Sequence, residues 1–237
     1  MGIDEVVPVF VSFFRESLPK LSEFYNWRIP QYDGFSDVQL SGYDANVRLK
    51  HHLAERWARA DHSQRLELAN FVVAKWGGVR ANKPDTIEHY VHEANKLVPA
   101  TPLQGIASYS KIFAIAAPDR YAIYDARVAA CLNAIQLKAA IRGIAFRYVS
   151  GRNLVVGHAG KRVGFVYQKP FTLKALKAEG WLVHSADQNY PTYLKLLELC
   201  AKELGNVPIY QLEMVLFALA EEVCEELTSS LIPSNRH

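Results

Sequence analysis

The sequence predicts a mainly α-helical fold with a small basic insert that is irregular or forms a β-hairpin. Most of the chain repeats apolar residues at helical spacing, and strand-like runs occur only in an insert at about residues 142–171. No repeat or low-complexity linker divides the 237 residues, so we expect one fold over 1–237, with room for two lobes and a cleft. The last predicted helix shows the spacing clearly, at Leu212, Val215, Leu216, Leu219 and Val223.

Four helices are predicted in the first hundred residues. Their ranges are Val6 to Tyr25 with an interruption near Pro19, Tyr43 to Arg59, Ser63 to Trp76, and Asp85 to about Leu97. Gly77-Gly78 is typical of a glycine pair that ends a helix. Asp85-Thr86-Ile87-Glu88 has the spacing of a capping box at a helix start. Turn residues between the first two helices predict a loop from Asn26 to Gly42.

The second half of the chain contains four further predicted helices around the insert. They run from Ser108 to Ala116, Asp125 to about Leu137, Tyr190 to Leu204, and Ile209 to about Leu227. Pro99 and Pro102 separate the first of these from the preceding helix. Within the insert, short strands or an extended loop are predicted at Arg147-Tyr148-Val149, Asn153 to Val156 and Arg162 to Tyr167.

The net charge of +3 is distributed unevenly along the chain. No Asp or Glu occurs between Ala126 and Ala178, whereas the tail from Glu179 is acidic. A basic stretch of this kind is typical of a surface that binds a polyanion such as DNA, and the alternative is chance clustering on a solvated face. The basic residues of the stretch are Arg127, Lys138, Arg142, Arg147, Arg152, Lys161, Arg162, Lys169, Lys174 and Lys177.

Several classes of protein are disfavoured by composition. No apolar run is long enough to span a membrane, and the acidic start of the chain does not resemble a signal peptide. The three cysteines are far apart and form no CxxC pair, which argues against a disulfide framework or a zinc site. We therefore expect a soluble, reduced, cytoplasmic and nucleoid-associated protein with no metal, cofactor or membrane partner and no obligatory protein partner.

Lys111 and Asp125 form the most informative pair in the sequence. Lys111 lies in an apolar predicted helix, and Asp125 follows a proline break and directly precedes the next helix, at its N-cap position. A lysine in apolar surroundings loses its proton more readily and can act as a nucleophile. Each residue alone has an ordinary alternative, because most helical lysines reach solvent and most such aspartates only cap a helix.

The segment from Ile106 to Ile135 resembles the lysine–aspartate core of the helix-hairpin-helix DNA glycosylases. Its pattern is similar to the 8-oxoguanine branch, including its compact bacterial members, in Ser108-Tyr109-Ser110-Lys111 through Pro118 and in Tyr121 to Val128. Trp76-Gly77-Gly78-Val79-Arg80 with Asn82 is also similar to a segment of that branch. The resemblance implies a helix-hairpin-helix fold in which Lys111 forms a Schiff base and Asp125 is the catalytic carboxylate.

The hairpin itself departs from the family pattern. Its second glycine is replaced by Ala107, and two additional residues precede Lys111. In the family the hairpin binds a DNA phosphate, so we expect the hydroxyls of Ser108 and Ser110 to supply part of that contact. The predicted DNA-binding residues are Ser108, Ser110, Arg127, Arg142, Arg147, Arg152, Lys161 and Arg162.

A base flipped out of DNA requires an aromatic or apolar sandwich. Trp76, which precedes a Gly-Gly turn, and Trp27 are predicted to line such a pocket, although tryptophans also occur in cores. Tyr109 is predicted either to line the pocket or to pack in the core.

The function that these patterns favour is base excision from double-stranded DNA containing a modified base, as a hydrolase with or without strand-cleaving lyase activity. The resemblance implies 8-oxoguanine and DNA repair, and the basic insert gives some support to a bulky modified base of phage DNA and antiviral defence. A non-catalytic DNA-binding module on the same scaffold is the alternative.

Overall fold

The computed structural model describes residues 2–36 and 40–230, and the described part of the chain is mainly helical, as predicted. The α-helices are α1 (Ile3–Ser17), α2 (Leu21–Phe24), α3 (Tyr43–Arg59), α4 (His62–Asn70), α5 (Pro84–Ala94), α6 (Ile106–Ala116), α7 (Ala126–Lys138), α8 (Leu173–Ala178), α9 (Asn189–Glu203) and α10 (Ile209–Ser230). Two strands, β1 (Arg152–Asn153) and β2 (Gly157–His158), pair antiparallel. Short 3-10 helices occupy Leu18–Lys20, Phe165–Tyr167 and Lys169–Phe171, and a π-helix occupies Phe71–Trp76.

The predicted interruption near Pro19 is confirmed. The 3-10 turn Leu18–Lys20 separates α1 from α2, because proline lacks the N–H that a continuous helix requires. The predicted loop from Asn26 to Gly42 contains only isolated bridges in its described part, and residues 37–39 lie outside the described residues. None of the helices within 2–36 and 40–230 combines the length and apolar character needed to cross a bilayer.

The third predicted helix is built from two different helical forms. Asp61 caps α4 by accepting a hydrogen bond from the Gln64 backbone N–H at 2.9 Å, and the chain widens into a π-helix after Asn70. The π-helix ends where the Gly77 N–H donates to the Val72 carbonyl at 3.0 Å. Single π turns often occur beside functional sites, and this one carries Trp76 and Gly77 into the site described below.

The prediction for α5 was wrong at both ends. Pro84 occupies the first turn and Lys83 is the N-cap, so Asp85 lies inside the helix and cannot form the expected capping box. The helix ends at Ala94 rather than Leu97. Just before that end, the Glu93 carboxylate pairs with Lys96 and accepts a hydrogen bond from the Ala100 N–H at 2.8 Å. This contact holds the turn that leads to α6.

Helix α6 lies between several partners that determine where its side chains point. It packs against α3, α5 and the π-helix, while α10 packs along α7. One hydrophobic cluster includes residues from every α-helix except α8, whose Leu176 packs in a separate small cluster with Ala145 and Trp181. Since α6 carries Lys111 and α7 begins after Asp125, this packing brings the two predicted catalytic residues toward α3 and α10.

The basic insert is mostly irregular, with the small hairpin that the sequence allowed. Arg152 pairs with His158 and Asn153 with Gly157. The Asn153 side chain accepts from the N–H groups of Val155 and Val156 at 2.9 Å, which closes the hairpin turn. The segment around Phe165–Tyr167 is a 3-10 turn, and α8 follows the insert without having been predicted.

Candidate active site

Lys111 and Asp125 line one pocket with an empty volume of about 390 Å³. Its walls are largely aromatic and apolar, and its charged groups are Lys111, Asp125 and Glu213. A mostly apolar hollow with a few convergent polar groups is the usual form of a ligand site. The complete lining consists of Tyr25, Trp27, Trp76, Gly77, Lys111, Ile123, Asp125, Glu213 and Phe217.

Lys111 is held in a buried position by its own helix and by the π-helix. The residue is 4% exposed, and its Nζ donates to the Ala107 carbonyl at 2.5 Å. Its stem crosses Gly77 so closely that a Cβ there would lie 2.3 Å from Lys111 Cε. Burial lowers the pKa of the Lys111 ammonium, with Asp125 and Glu213 opposing this shift and Lys50 adding to it. A lowered pKa makes the neutral amine easier to form here than in an exposed lysine.

Asp125 occupies the N-cap of α7, as predicted. Its Oδ1 accepts hydrogen bonds from the backbone N–H groups of Arg127 at 3.0 Å and Val128 at 3.1 Å. Both of these bonds are made to the same oxygen, Oδ1. The side chain is half-buried at the pocket.

A buried ion pair beside the lysine was not predicted. Lys50 Nζ on α3 lies 2.6 Å from Glu213 Oε2 on α10, with side chains only 7% and 3% exposed. Burial raises the pKa of Glu213, and Lys50 opposes that shift. Lys50 also lies over the ring of Trp76, 5.5 Å from its centroid. Glu213 lines the pocket, so the pocket is bounded by two acids and has two lysines near it.

The aromatic wall is fixed by hydrogen bonds between its members. Trp27 Nε1 donates to the Trp76 carbonyl at 3.2 Å, and Trp76 Nε1 donates to Asn46 Oδ1 at 3.0 Å. Asn46 in turn donates to the Trp27 carbonyl at 2.8 Å. Trp27 meets Phe217 edge to face with ring centroids 5.1 Å apart. Trp27 and Trp76 thus line the pocket as expected, whereas Tyr25 and Phe217 were missed by the sequence argument.

The pocket opens onto a wide groove with an empty volume of about 1700 Å³. Pocket and groove share Trp27, Gly77, Lys111, Asp125 and Phe217. The groove is bounded by the turn after the π-helix, the start of α7 and the β1–β2 hairpin. Besides Lys111, its basic side chains are Arg80, Arg127, Arg152 and His158.

Two of the groove arginines already have partners. Arg152 Nη2 donates to the Gly78 carbonyl at 2.6 Å, which joins the hairpin to the turn on the facing wall. Arg127 Nη2 lies 2.5 Å from Glu221 Oε1 and its guanidinium lies over the Phe217 ring. Arg80 is exposed at the groove and was not among the predicted DNA-binding residues.

The other predicted basic residues have separate surroundings. Lys161 and Arg162 are exposed just beyond Gly160, at the edge of the groove. Arg142 lies in a different hollow beside Glu179, and the Arg147 guanidinium donates twice to the His184 carbonyl. Arg142 and Arg147 are therefore not part of the groove that contains Lys111.

The three residues before Lys111 are placed in the interior. Ser108 is buried and accepts from Asn82 Nδ2 at 2.9 Å, and Ser110 accepts from the Tyr124 N–H at 3.1 Å. Their hydroxyls are therefore unavailable to a phosphate in this arrangement. Tyr109 packs in the core and donates to the Pro102 carbonyl at 2.7 Å, so it does not line the pocket.

Comparison of the chain with protein-family models, with curated proteins and with solved structures found no match.

Proposed function

We propose that this chain is a DNA glycosylase that excises a modified base through Lys111 and Asp125. The observation that carries the proposal is the position of a buried lysine and a half-buried, capping aspartate in one aromatic pocket. That pocket opens into a groove with several basic side chains, which suits a DNA backbone. A base turned out of the duplex would enter the pocket while its strand lies in the groove.

The arrangement of α5 and α6 supports a helix-hairpin-helix assignment. The two helices pack together, and Gly105 precedes α6 with a φ of +81°, a conformation that favours glycine. Ala107, in the first turn of α6, lines the groove. The N–H groups of Ile106 and Ser108 already donate to backbone carbonyls, so a DNA phosphate at this helix end would be met by the Ala107 N–H and the helix dipole, without help from the Ser108 or Ser110 hydroxyls.

The shared pocket of the two groups supports the following reaction. The bond between C1′ and the base breaks, its electron pair leaves with the base, and the base takes up a proton. Lys111 Nζ uses its lone pair to bond to C1′, while Asp125 stabilises the positive charge that develops on the sugar. Proton loss from nitrogen and proton uptake by O4′ then open the sugar ring and give the C1′=N Schiff base. Water hydrolyses it, or loss of a C2′ proton expels the 3′ phosphate and cuts the strand.

The pocket lining supports a base that carries N–H donors on its edge. Glu213 Oε2 is paired with Lys50, and Oε1 has no hydrogen-bond partner within the described part of the chain. A carboxylate oxygen accepts hydrogen bonds and can read such an edge. Trp27, Trp76 and Phe217 offer apolar surface to the base. An 8-oxoguanine-like base and a bulky modified base of phage DNA both remain candidates.

Borohydride trapping on abasic DNA tests the role of the lysine. The native protein should give a covalent complex, and Lys111→Gln should reduce its yield by at least about 100-fold, because the amide cannot form a Schiff base. Lys195→Gln is the matched control, since Lys195 is exposed on α9. Equal trapping by Lys111→Gln and the native protein would remove Lys111 from the mechanism.

The substrate is tested separately by base release. Duplexes containing 8-oxoguanine and DNA from phages with modified cytosines should be compared for abasic-site formation. Release from only one of them identifies the substrate class and decides between repair and antiviral defence.

A non-catalytic DNA-binding module is the second candidate. It is favoured by the close contact of Lys111 Nζ with the Ala107 carbonyl, which occupies the amine. Salt-sensitive DNA binding with neither trapping nor base release would support this function in place of the first.

A further inference from the structure

We infer that Lys50 is a positioning residue that neutralises Glu213 and thereby keeps Lys111 available as a free amine. The inference rests on the proposed function, because it assigns Lys50 to the reactivity of the proposed nucleophile. Lys50 does not line the pocket, and it acts through the carboxylate that does.

The geometry of the ion pair supports this role. Glu213 and Lys111 line the same pocket, and the 2.6 Å bond to Lys50 engages only one Glu213 oxygen. Burial of an unpaired carboxylate is costly, so Glu213 requires a cation close by. Lys50, fixed between α10 and the ring of Trp76, supplies it. Apart from Lys50, the cation that acts on Glu213 is Lys111, which lines the same pocket.

The charges that face Lys111 are Asp125 from the start of α7, Glu213 from α10 and Lys50 from α3. The two acids favour the charged ammonium, whereas burial and Lys50 favour the neutral amine. In the native protein, the positive charge of Lys50 offsets the negative charge of Glu213. Removal of Lys50 would leave Lys111 facing two carboxylates, and removal of Glu213 would leave it facing an unbalanced cation.

Because the two removals have opposite effects, the direction of the pH shift in each variant tests the inference. We expect Lys50→Met to raise the pH at which Lys111 becomes reactive, and Glu213→Gln to lower it, each by about one pH unit or more. The measurement is reductive methylation with formaldehyde across a pH series, quantified at the Lys111 peptide by mass spectrometry. Exposed Lys195 in the same molecule is the reference amine. Formaldehyde is small enough to enter the pocket, and the labelling requires no DNA.

Two further variants separate electrostatics from packing. Lys50→Arg should keep the native midpoint, and Lys50→Met combined with Glu213→Leu should return it close to native, because both charges are then absent. If the role of Lys50 were purely structural, Lys50→Met would lower stability, but it would not raise the pH midpoint of Lys111 labelling. If Lys50→Met fails to fold, Glu213→Gln is compared with the double variant: its midpoint should be the lower of the two, because it keeps the positive charge of Lys50 and the double variant does not.

Unchanged midpoints in folded Lys50→Met or Glu213→Gln would overturn the inference. Failure of the native protein to trap abasic DNA would instead count against the proposed function. Since labelling and trapping are independent measurements, the two failures can be distinguished.

Discussion

Gly77 determines where the side chain of Lys111 can lie. The residue ends the π-helix, and the lysine stem passes over the space that a Cβ would occupy. Its φ of −88° is accessible to any residue, so the requirement for glycine comes from this close contact and not from the backbone angle. One absent methyl group therefore admits the lysine to the pocket.

We expect Gly77→Ala to lower borohydride trapping at least about tenfold. The new Cβ would lie 2.5 Å or less from Lys111 Cδ and Cε and 2.7 Å from the Val72 carbonyl, so the lysine must move away. Misplacement of a reacting group by about 1 Å can cost about 100-fold in rate. Trapping assays and thermal unfolding should be run together. A folded variant with native trapping would show that the lysine tolerates displacement.

The sequence predicted Lys111 and Asp125 as a pair, because both lie within one short segment whose pattern resembles a known family. The two residues do line the same pocket. The sequence did not identify Lys50 and Glu213, which are 163 positions apart and meet only through the packing of α3 and α10. A signal existed, since Glu213 stands between Leu212 and Met214 on an apolar helix. Such an isolated acid indicates a buried charge, but it does not identify the partner.

The connection between α5 and α6 depends on the carboxylate of Glu93. This nearly buried side chain binds Lys96 and the Ala100 N–H, and both bonds lower its pKa below the ordinary value of 4.5. A group with a lowered pKa in the folded state stabilises the fold above its unfolded pKa, and loses that effect as the pH falls through the folded value.

We therefore expect Glu93→Gln to lower the free energy of unfolding by about 1 to 2 kcal/mol at pH 7, as is typical when a charged hydrogen-bonding group is lost. The difference from the native protein should shrink as the pH falls below about 4.5. Urea unfolding at several pH values measures it. Glu88→Gln, at an exposed position of the same helix, is the control and should change stability by less than about 0.5 kcal/mol. A pH-independent difference would contradict the assignment.

The predicted boundaries of helices were least accurate where one helical form changes into another. Periodicity indicated one helix to Trp76, but the switch to a π-helix after Asn70 depends on how Phe71, Val72 and Val73 pack into the core. The N-cap at Asp125 was predicted correctly, because it depends only on a side chain that can accept hydrogen bonds and on the helical sequence directly after it.

At the scale of the whole molecule, the groove collects basic side chains from distant segments. Arg80 follows the π-helix, Arg127 lies in the first turn of α7, and Arg152 begins β1. The acid-free stretch in the sequence indicated a basic surface, and Arg127 and Arg152 belong to this groove. Arg142 and Arg147 lie outside it, beside Glu179 and the His184 carbonyl. The sequence could not predict this, because the order of charges along a chain does not show which face of the fold each residue occupies.

If the proposed function is correct and DNA lies in this groove, its affinity should decrease steeply with salt. We expect Arg80→Gln and Arg152→Gln each to reduce the slope of log affinity against log salt by about 0.9, the value for one lost phosphate contact. Arg59→Gln is the control, because Arg59 is exposed on α3 and does not line the groove. Fluorescence anisotropy with a fixed duplex at several salt concentrations gives the slopes. Slopes that stay at the native value in both groove variants would place the DNA elsewhere.

The position of Asp125 links its proposed catalytic role to the start of a helix. The carboxylate of Asp125 lines the pocket, and it also accepts hydrogen bonds from backbone N–H groups in the first turn of α7. Neither role can change without affecting the other, because the proposed reaction requires a negative charge and the start of α7 requires a short side chain with an acceptor oxygen. Asparagine preserves the shape and the helix start but carries no negative charge, whereas alanine removes both, so inactivity of an alanine variant would not distinguish a lost reagent from a frayed helix.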